Sequence, residues 1–331
     1  MNLDGKRALV TGAGGFIGSH LTEALVRAGA KTRALVHYNS RGDWGQLAAV
    51  DTEVRDDVEV ILGDIGDRSM VRQAVVGCDL IFHLAALIGI PYSYHAVESY
   101  VDTNLRGTLN VLEACRDYGV ERLLLTSTSE SYGTAQYTPI DEQHPLRAQS
   151  PYAATKIAAD QLAHSYHAAF GLPVVVLRPF NTFGPRQSTR AVIPTIITQA
   201  LAGDYVTLGS LSPVRDFLYV ADNARGYLAA AAARADNVCG EVINLGTGRG
   251  VSIGRLVELV GEILGRPLTV VAAQQRRRPE KSEVLQLLCC AEKAHRLIGW
   301  QAQVGLEDGL ARTIDHIRCH PEMHRSPQYA I

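Results

Sequence analysis

Thr11-Gly12-Ala13-Gly14-Gly15-Phe16-Ile17-Gly18 decides the fold of this chain. It follows an apolar run, Arg7-Ala8-Leu9-Val10, and opens an amphipathic segment over 16–28. Gly12, Gly15 and Gly18 give the spacing G-x-x-G-x-x-G. Glycines so placed let the backbone turn tightly and approach a pyrophosphate. The helix that follows offers free N–H groups and the positive end of its dipole. A glycine-rich turn alone is a weak signal; at the first strand-to-helix junction of an alternating pattern it is a strong one.

That alternation continues outward from the turn. Short apolar runs at 7–11, 32–37, 58–63, 80–84, 122–127 and 174–178 predict strands. Amphipathic segments at 16–28, 67–76, 100–118 and 152–170 predict helices between them. Repeated β-α order predicts a parallel sheet with crossover helices on its faces. After about residue 179 the pattern shortens, punctuated by Pro185, Pro194, Pro213 and the turn Gly246-Thr247-Gly248-Arg249-Gly250. The expected fold is α/β: a Rossmann-type, doubly wound parallel sheet over 1–179, with 216–245 returning to it. A smaller α/β substrate domain would be built from 180–215 and 246–317, with a tail over 318–331.

Composition excludes several classes. The chain has 331 residues, 47% hydrophobic and 20% charged, with a formal net charge of −2. No global field draws it to nucleic acid or to a membrane surface. Six cysteines include no C-x-x-C pair, which reads as reduced thiols. The first strand begins too early for a secretory leader, and no apolar run is long enough to span a bilayer. A cytoplasmic location is expected.

The cofactor set extends from the glycine turn. Gly12, Gly15, Phe16, Ile17 and Gly18 face the pyrophosphate, and Leu84, Ala85 and Ala86 after the fourth strand are small enough to let a dinucleotide lie close. An acid usually ends the second strand to bind ribose hydroxyls. Here Val36-His37-Tyr38-Asn39-Ser40-Arg41 has none. His37 takes that place, and Asn39 or Arg41 is positioned for a 2′-hydroxyl or a 2′-phosphate, so NAD and NADP both fit. Arg41 equally fits a solvated loop charge. Asp64, in Gly63-Asp64-Ile65, fits an adenine contact or a helix cap, the former being preferred. His83 reads as a packed core histidine.

Tyr152 and Lys156 lie at i and i+4 of a helix and face one side. A tyrosine with an ordinary pKa near 10 must be lowered to act as a base; Lys156 and a positive nicotinamide ring would lower it. Thr128, ending the fifth strand, is in register to bind the same hydroxyl. Glu130, in Thr128-Ser129-Glu130-Ser131-Tyr132-Gly133, adds a carboxylate that alcohol oxidation alone does not need.

With these residues the chain resembles the extended short-chain dehydrogenases/reductases that act on nucleotide sugars. The resemblance covers nearly the whole chain. It implies catalytic roles for Thr128, Tyr152 and Lys156, and places Asn104 near the active site. It makes Glu130 the base that removes the C5 proton in a 4,6-dehydratase, where the family's 4-epimerases lack an acid. Ser129 stands where many glucose-type dehydratases carry an acidic Asp. Thr-Ser-Glu is similar to GDP-mannose-type dehydratases and to the N-acetylglucosamine-nucleotide dehydratases of the legionaminic acid pathway. Closeness to the latter rests on Ile90-Pro91-Tyr92-Ser93-Tyr94 and on the run from Arg178 to Gln187. Ser131 departs from their aliphatic residue.

By the same resemblance Asn104, Thr128, Asn181, Pro194 and the arginines Arg190, Arg215 and Arg278 bind a nucleotide-diphosphate sugar. The segments 100–118 and 152–170 would pair with a second copy in a four-helix bundle. The runners-up are a UDP-glucuronate decarboxylase, with Arg186, Arg190 or Arg215 as the extra cation, and a 4- or 5-epimerase. A non-catalytic nucleotide sensor is the reading from another class; it has no need of Thr128, Glu130, Tyr152 and Lys156 together. No metal site is expected.

Overall fold

The computed structural model describes residues 3–273 and 279–324. Its strands are β1 (Arg7–Thr11), β2 (Lys31–His37), β3 (Val58–Gly63), β4 (Leu80–His83), β5 (Arg122–Thr126), β6 (Val174–Pro179), β7 (Asn181–Phe183), β8 (Tyr205–Leu208), β9 (Val214–Tyr219), β10 (Val242–Leu245), β11 (Gly250–Ser252) and β12 (Thr269–Ala272). Seven form one sheet in the order β10-β6-β5-β4-β1-β2-β3. Every pairing in it is parallel. The order reverses between β1 and β4, which opens a crevice at the carboxyl ends of the strands.

Why these runs are strands follows from burial. Leu123, Leu124 and Leu125 of β5 are all fully buried. A central parallel strand is covered on both faces, so its sequence is continuously apolar rather than alternating. Each such side chain contributes about 1.5–3 kcal/mol on burial. One face of the sheet is covered by helices Phe16–Arg27 and Val220–Ala232, with Leu21, Leu25, Tyr227 and Ala230 in the core. The other is covered by Arg68–Val75, Gly107–Tyr118 and Pro151–Phe170.

The smaller region holds a three-stranded sheet, β11-β9-β7, and a β12-β8 pair. Its core lies among helices Val192–Ala202, Ile253–Leu264 and Leu306–Cys319. The return to the large sheet is made by the helix Val220–Ala232 and β10; β9, from 214 to 219, stays in the small sheet. The expected tail also starts later. Residues 318 and 319 complete the last long helix and Pro321–His324 makes a further turn. Ile314 and Ile317 anchor that helix in the small core, which carries its end past 318.

The segment 100–118 is not one regular helix. Val97–Tyr100 leads into a π-helical stretch, Val101–Arg106, before the α-helix Gly107–Tyr118. Such wide turns favour functional sites. Gly107 is needed where this helix crosses Ile65: an added Cβ would stand 2.8 Å from Ile65 Cγ2. No described helix is long and apolar enough to cross a membrane.

Candidate active site

The glycine turn is shaped by absent side chains. Gly12 has φ +72°, and a Cβ there would come within 2.8 Å of the Ala85 nitrogen. A Cβ on Gly18 would lie 2.2 Å from the Gly12 carbonyl oxygen. Gly15 is the N-cap of Phe16–Arg27 and offers no side-chain cap, leaving the first N–H groups, Phe16 and Ile17 among them, for an anion. The cradle and the uncapped helix end together fit the pyrophosphate of a dinucleotide.

Thr11 and His83 tie β1 to β4 beneath that cradle. Thr11 Oγ1 accepts from the Leu84 and Ala85 amides at 3.2 Å each. Thr108 Oγ1 donates to the Asn104 carbonyl at 2.6 Å, so it accepts from His83 Nε2–H at 3.0 Å. His83 Nδ1 then accepts from Thr11 Oγ1 at 2.8 Å. Burial lowers the His83 pKa to about 3 and keeps the ring neutral in this tautomer. Leu84, Ala85 and Ala86 are thereby held half-buried against the turn.

The candidate carboxylate for the adenosine, Asp64, follows β3 rather than β2. His37 Nε2 lies 3.5 Å from Asp64 Oδ2, and both side chains are largely exposed. Asp64 does not cap the next helix. Asp67 does, accepting from Ser69 and Met70 amides, while Asp64 accepts from the Gly66 amide and Ile65 is buried beside it. Asn39 is spent on its own loop: it donates to the Asp43 carbonyl and accepts from the Arg41 and Asp43 amides. Arg41 is exposed at that rim.

The catalytic candidates converge at the end of β5. Thr128 caps the short turn Ser129–Tyr132, accepting from the Glu130 amide at 3.2 Å. That turn buries Ser129, Ser131 and Tyr132 and leaves Glu130 half-exposed. Tyr152 is buried near the start of Pro151–Phe170, a helix capped by Ser150. Burial raises the Tyr152 pKa, a hydrogen bond with Thr128 lowers it, and the Glu130 charge raises it again. Thr128, Glu130 and Tyr152 therefore share one locus. Burial brings Lys156 down to about 8, opposed by Asp160. Its Nζ donates to the Thr126 carbonyl, at the last residue of β5.

Asn104 lies near the catalytic candidates, as expected, but its side chain is already partnered. Its Oδ1 accepts from the Leu87 amide at 2.8 Å, and its Nδ2 donates to the Leu87 carbonyl and Thr155 Oγ1 at 3.0 Å each. The amide is committed to the chain, joining the loop after β4 to the Tyr152 helix, and is not open to a substrate. Tyr100, one turn earlier, is a neighbour the sequence reading missed. Its ring packs edge-on against Tyr152 at 6.3 Å, and its hydroxyl donates to the Gly89 carbonyl at 2.5 Å. The i, i+4 spacing of Tyr100 and Asn104 was the available signal.

The sugar-nucleotide candidates divide. Asn181 begins β7 with its Oδ1 buried and unpartnered among the described residues. Arg215 on β9 is buried, donates to the Val214 carbonyl and lies 3.6 Å from Glu283. Arg190 is exposed, with its charge felt by Tyr100. Pro194 is buried in the first turn of its helix, where a missing N–H costs nothing. Arg278 lies outside the described residues. Arg186 is not a free cation: it is buried at φ +67° and donates to Glu23 at 2.9 Å and His20 Nδ1 at 2.6 Å. Among the described residues no cluster of metal-ligating side chains occurs.

The parallel sheet, the glycine cradle at its switch point and the Tyr/Lys pair define an extended short-chain dehydrogenase/reductase. The family profile described as "GDP-mannose 4,6 dehydratase" matches residues 9–313, and the chain belongs to this NAD-dependent epimerase/dehydratase family of nucleotide-sugar enzymes. A dTDP-glucose 4,6-dehydratase of Streptomyces griseus is 35% identical over 312 residues, 92% of each chain. The crystal structure of DesIV, a dTDP-glucose 4,6-dehydratase from Streptomyces venezuelae with NAD bound, superposes with TM-score 0.85 at 31% identity, covering 96% of this chain and 98% of that one. The UDP-glucuronic acid 4-epimerase of Bacillus cereus, also solved with NAD, gives TM-score 0.85 at 30% identity over 95% and 99%.

Proposed function

We propose that the protein is a nucleotide-sugar 4,6-dehydratase, acting on an NDP-hexose of the N-acetylglucosamine type and releasing a 4-keto-6-deoxy product. The observation that carries this is the carboxylate of Glu130, on the turn capped by Thr128, whose charge reaches Tyr152. When bound, NAD supplies a reversible hydride acceptor for C4 and later a hydride donor for C6. Gly12, Gly15, Gly18 and the Phe16 and Ile17 amides would hold its pyrophosphate, and Lys156 its nicotinamide ribose.

Tyr152 takes the proton of the C4 hydroxyl, and Thr128 holds the same oxygen. Burial works against this ionisation, so positive charge supplied at the site must offset it. Oxidation leaves a ketone at C4 and makes the C5 proton acidic. Glu130 removes that proton. The C6 hydroxyl departs as water, carrying a proton returned from Glu130 or through a water. Hydride then adds at C6 and a proton at C5, so the net change is loss of one water. Ser129 is a poor acid and is buried, which supports Glu130 rather than Ser129 in the proton transfer.

A 4-epimerase is the second reading, favoured by likeness to the Bacillus cereus enzyme. Decarboxylation is a third reading; of its three candidate cations Arg186 is spent on Glu23 and His20, which leaves it to Arg190 or Arg215. Product mass after incubation with UDP- and GDP-linked glucose, N-acetylglucosamine, mannose and glucuronate separates them. Loss of one water is expected; an unchanged mass means epimerisation, and loss of CO2 means decarboxylation. Glu130→Gln should also abolish solvent-deuterium entry at C5. Undiminished exchange removes Glu130 as the base.

The reading extends to a homodimer. Val97, Val101 and Leu109 are exposed apolar side chains at a spacing that places them on one side of their helical segment, which supports a second copy covering it. A monomer in analytical ultracentrifugation at micromolar concentration would contradict this.

A further inference from the structure

Behind the turn that carries Glu130 lies an ionic network that plays no part in the reaction steps above. Asp160, one helical turn after Lys156, is 0% exposed, and Arg178 on β6 is 2% exposed. Arg178 Nη2 donates to Asp160 Oδ2 at 2.7 Å, and Ser127 Oγ donates to the same oxygen at 2.6 Å. Arg178 Nη1 donates to the Tyr132 hydroxyl at 2.9 Å, with the guanidinium 4.8 Å from the centre of that ring. Tyr132 in turn donates to Asn244 Oδ1 at 2.8 Å, on β10. Asn244 is fixed from the other side by Glu142, which accepts its amide at 2.8 Å.

A buried ion pair is weak evidence for stability, because desolvation offsets much of its attraction. Its geometry is more informative. The pair grips the turn Ser129–Tyr132 from within, at Tyr132, two residues from Glu130. It also starts from the helix that holds Tyr152 and Lys156. Thus one rigid set of contacts spans the elements that carry the base and the oxidising pair. Positioning of this kind governs rate because small misplacements of a reacting group are costly.

We propose that Arg178, Asp160 and Tyr132 are positioning residues that hold the Glu130 turn in register with Tyr152. The proposal rests on the role of Glu130 given above. Its test is a double-mutant cycle with Tyr132→Phe and Glu130→Gln, measuring kcat on the substrate that turns over. Tyr132→Phe keeps the ring and removes only the hydroxyl that Arg178 and Asn244 share. Glu130→Gln should lower kcat about 100-fold, within the range for a lost general base. Tyr132→Phe should lower it about 10-fold in the wild type and less than about 2-fold in the Glu130→Gln background, the coupling expected when one residue acts through another.

Equal losses in both backgrounds would overturn the positioning role while leaving Glu130 as the base. A Glu130→Gln enzyme as fast as wild type overturns the reading of Glu130 and the inference with it. If Tyr132→Phe melts below the assay temperature, Asn244→Ser, which removes the acceptor of the Tyr132 hydroxyl together with a donor to the Ile140 carbonyl, is read in the same cycle.

Discussion

The two sides of the crevice are built on opposite principles. On the candidate nucleotide side, backbone N–H groups stand at an uncapped helix start, and the side chains at its rim, His37, Arg41 and Asp64, are exposed. On the catalytic side, Tyr152, Lys156, Asp160 and Arg178 are all buried. Solvated groups leave folding nearly undisturbed and tolerate exchange. Buried ionisable groups need partners, and their pKa values move as a result. The contrast teaches where the chain concentrates its constraint: the candidate cofactor cradle is main chain, whereas the Tyr152/Lys156 end is a desolvated set of side chains, with Glu130 alone of the proposed reacting groups half-exposed.

The sharpest way to break this comparison is at Tyr152. Tyr152→Phe should lower turnover by about 1,000-fold or more while NAD binding, read by titration calorimetry, changes little. A large loss of NAD affinity would mean that the two sides are not separable. Next comes the buried pair. Asp160→Asn leaves Arg178 without its counter-charge and should destabilise the fold by roughly 3–5 kcal/mol, measured by urea unfolding. A cost below about 1 kcal/mol, the range of exposed pairs, would show that water reaches it.

A pH series gives a smaller effect with a definite sign. His20 and His83 are both held near about 3, chiefly by burial. Their unfolded value is higher, so the unfolded chain binds more protons between that value and about 3. Their contribution is therefore intact above about pH 6.5 and is lost as pH falls. At pH 5 each should cost roughly 2 kcal/mol by linkage. Urea midpoints that stay flat from pH 7.5 to 5 would contradict the burial of both rings. The smallest change is expected at the exposed rim: Asp64→Asn should weaken NAD only a few-fold, about 1 kcal/mol for one solvent-facing hydrogen bond. A hundredfold loss in the same titration would place Asp64 among the tightly constrained groups.

Legibility in the sequence followed the same division. The glycine spacing, β1 and the pair Tyr152/Lys156 were readable because each depends on residues adjacent or one helical turn apart. Glu130 could be singled out as a candidate from its place just after the fifth strand, which ends at Thr126, on the turn that Thr128 caps. That the Asn104 amide is already taken was hidden because its partners, Leu87 and Thr155, lie 17 and 51 residues away. The irregular turn at Val101–Arg106 was hidden for a related reason: the apolar pattern continues through it. Arg186 looked like a free cation, and only its approach to Glu23 and His20, more than 160 residues earlier, removed it from the substrate side.

The sequence by itself determined the alternation of strands and helices, the cofactor cradle and the residue types needed for oxidation at an alcohol. These are properties of local spacing and of missing side chains, and no distant contact is required to read them. Tertiary structure decided which polar groups remain available. Asn104, Asn39 and Arg186 are consumed by the chain, and Glu130 is left half-exposed. Packing also set the protonation of His83 and Lys156, because desolvation depends on everything folded around a group and not on its neighbours in the chain.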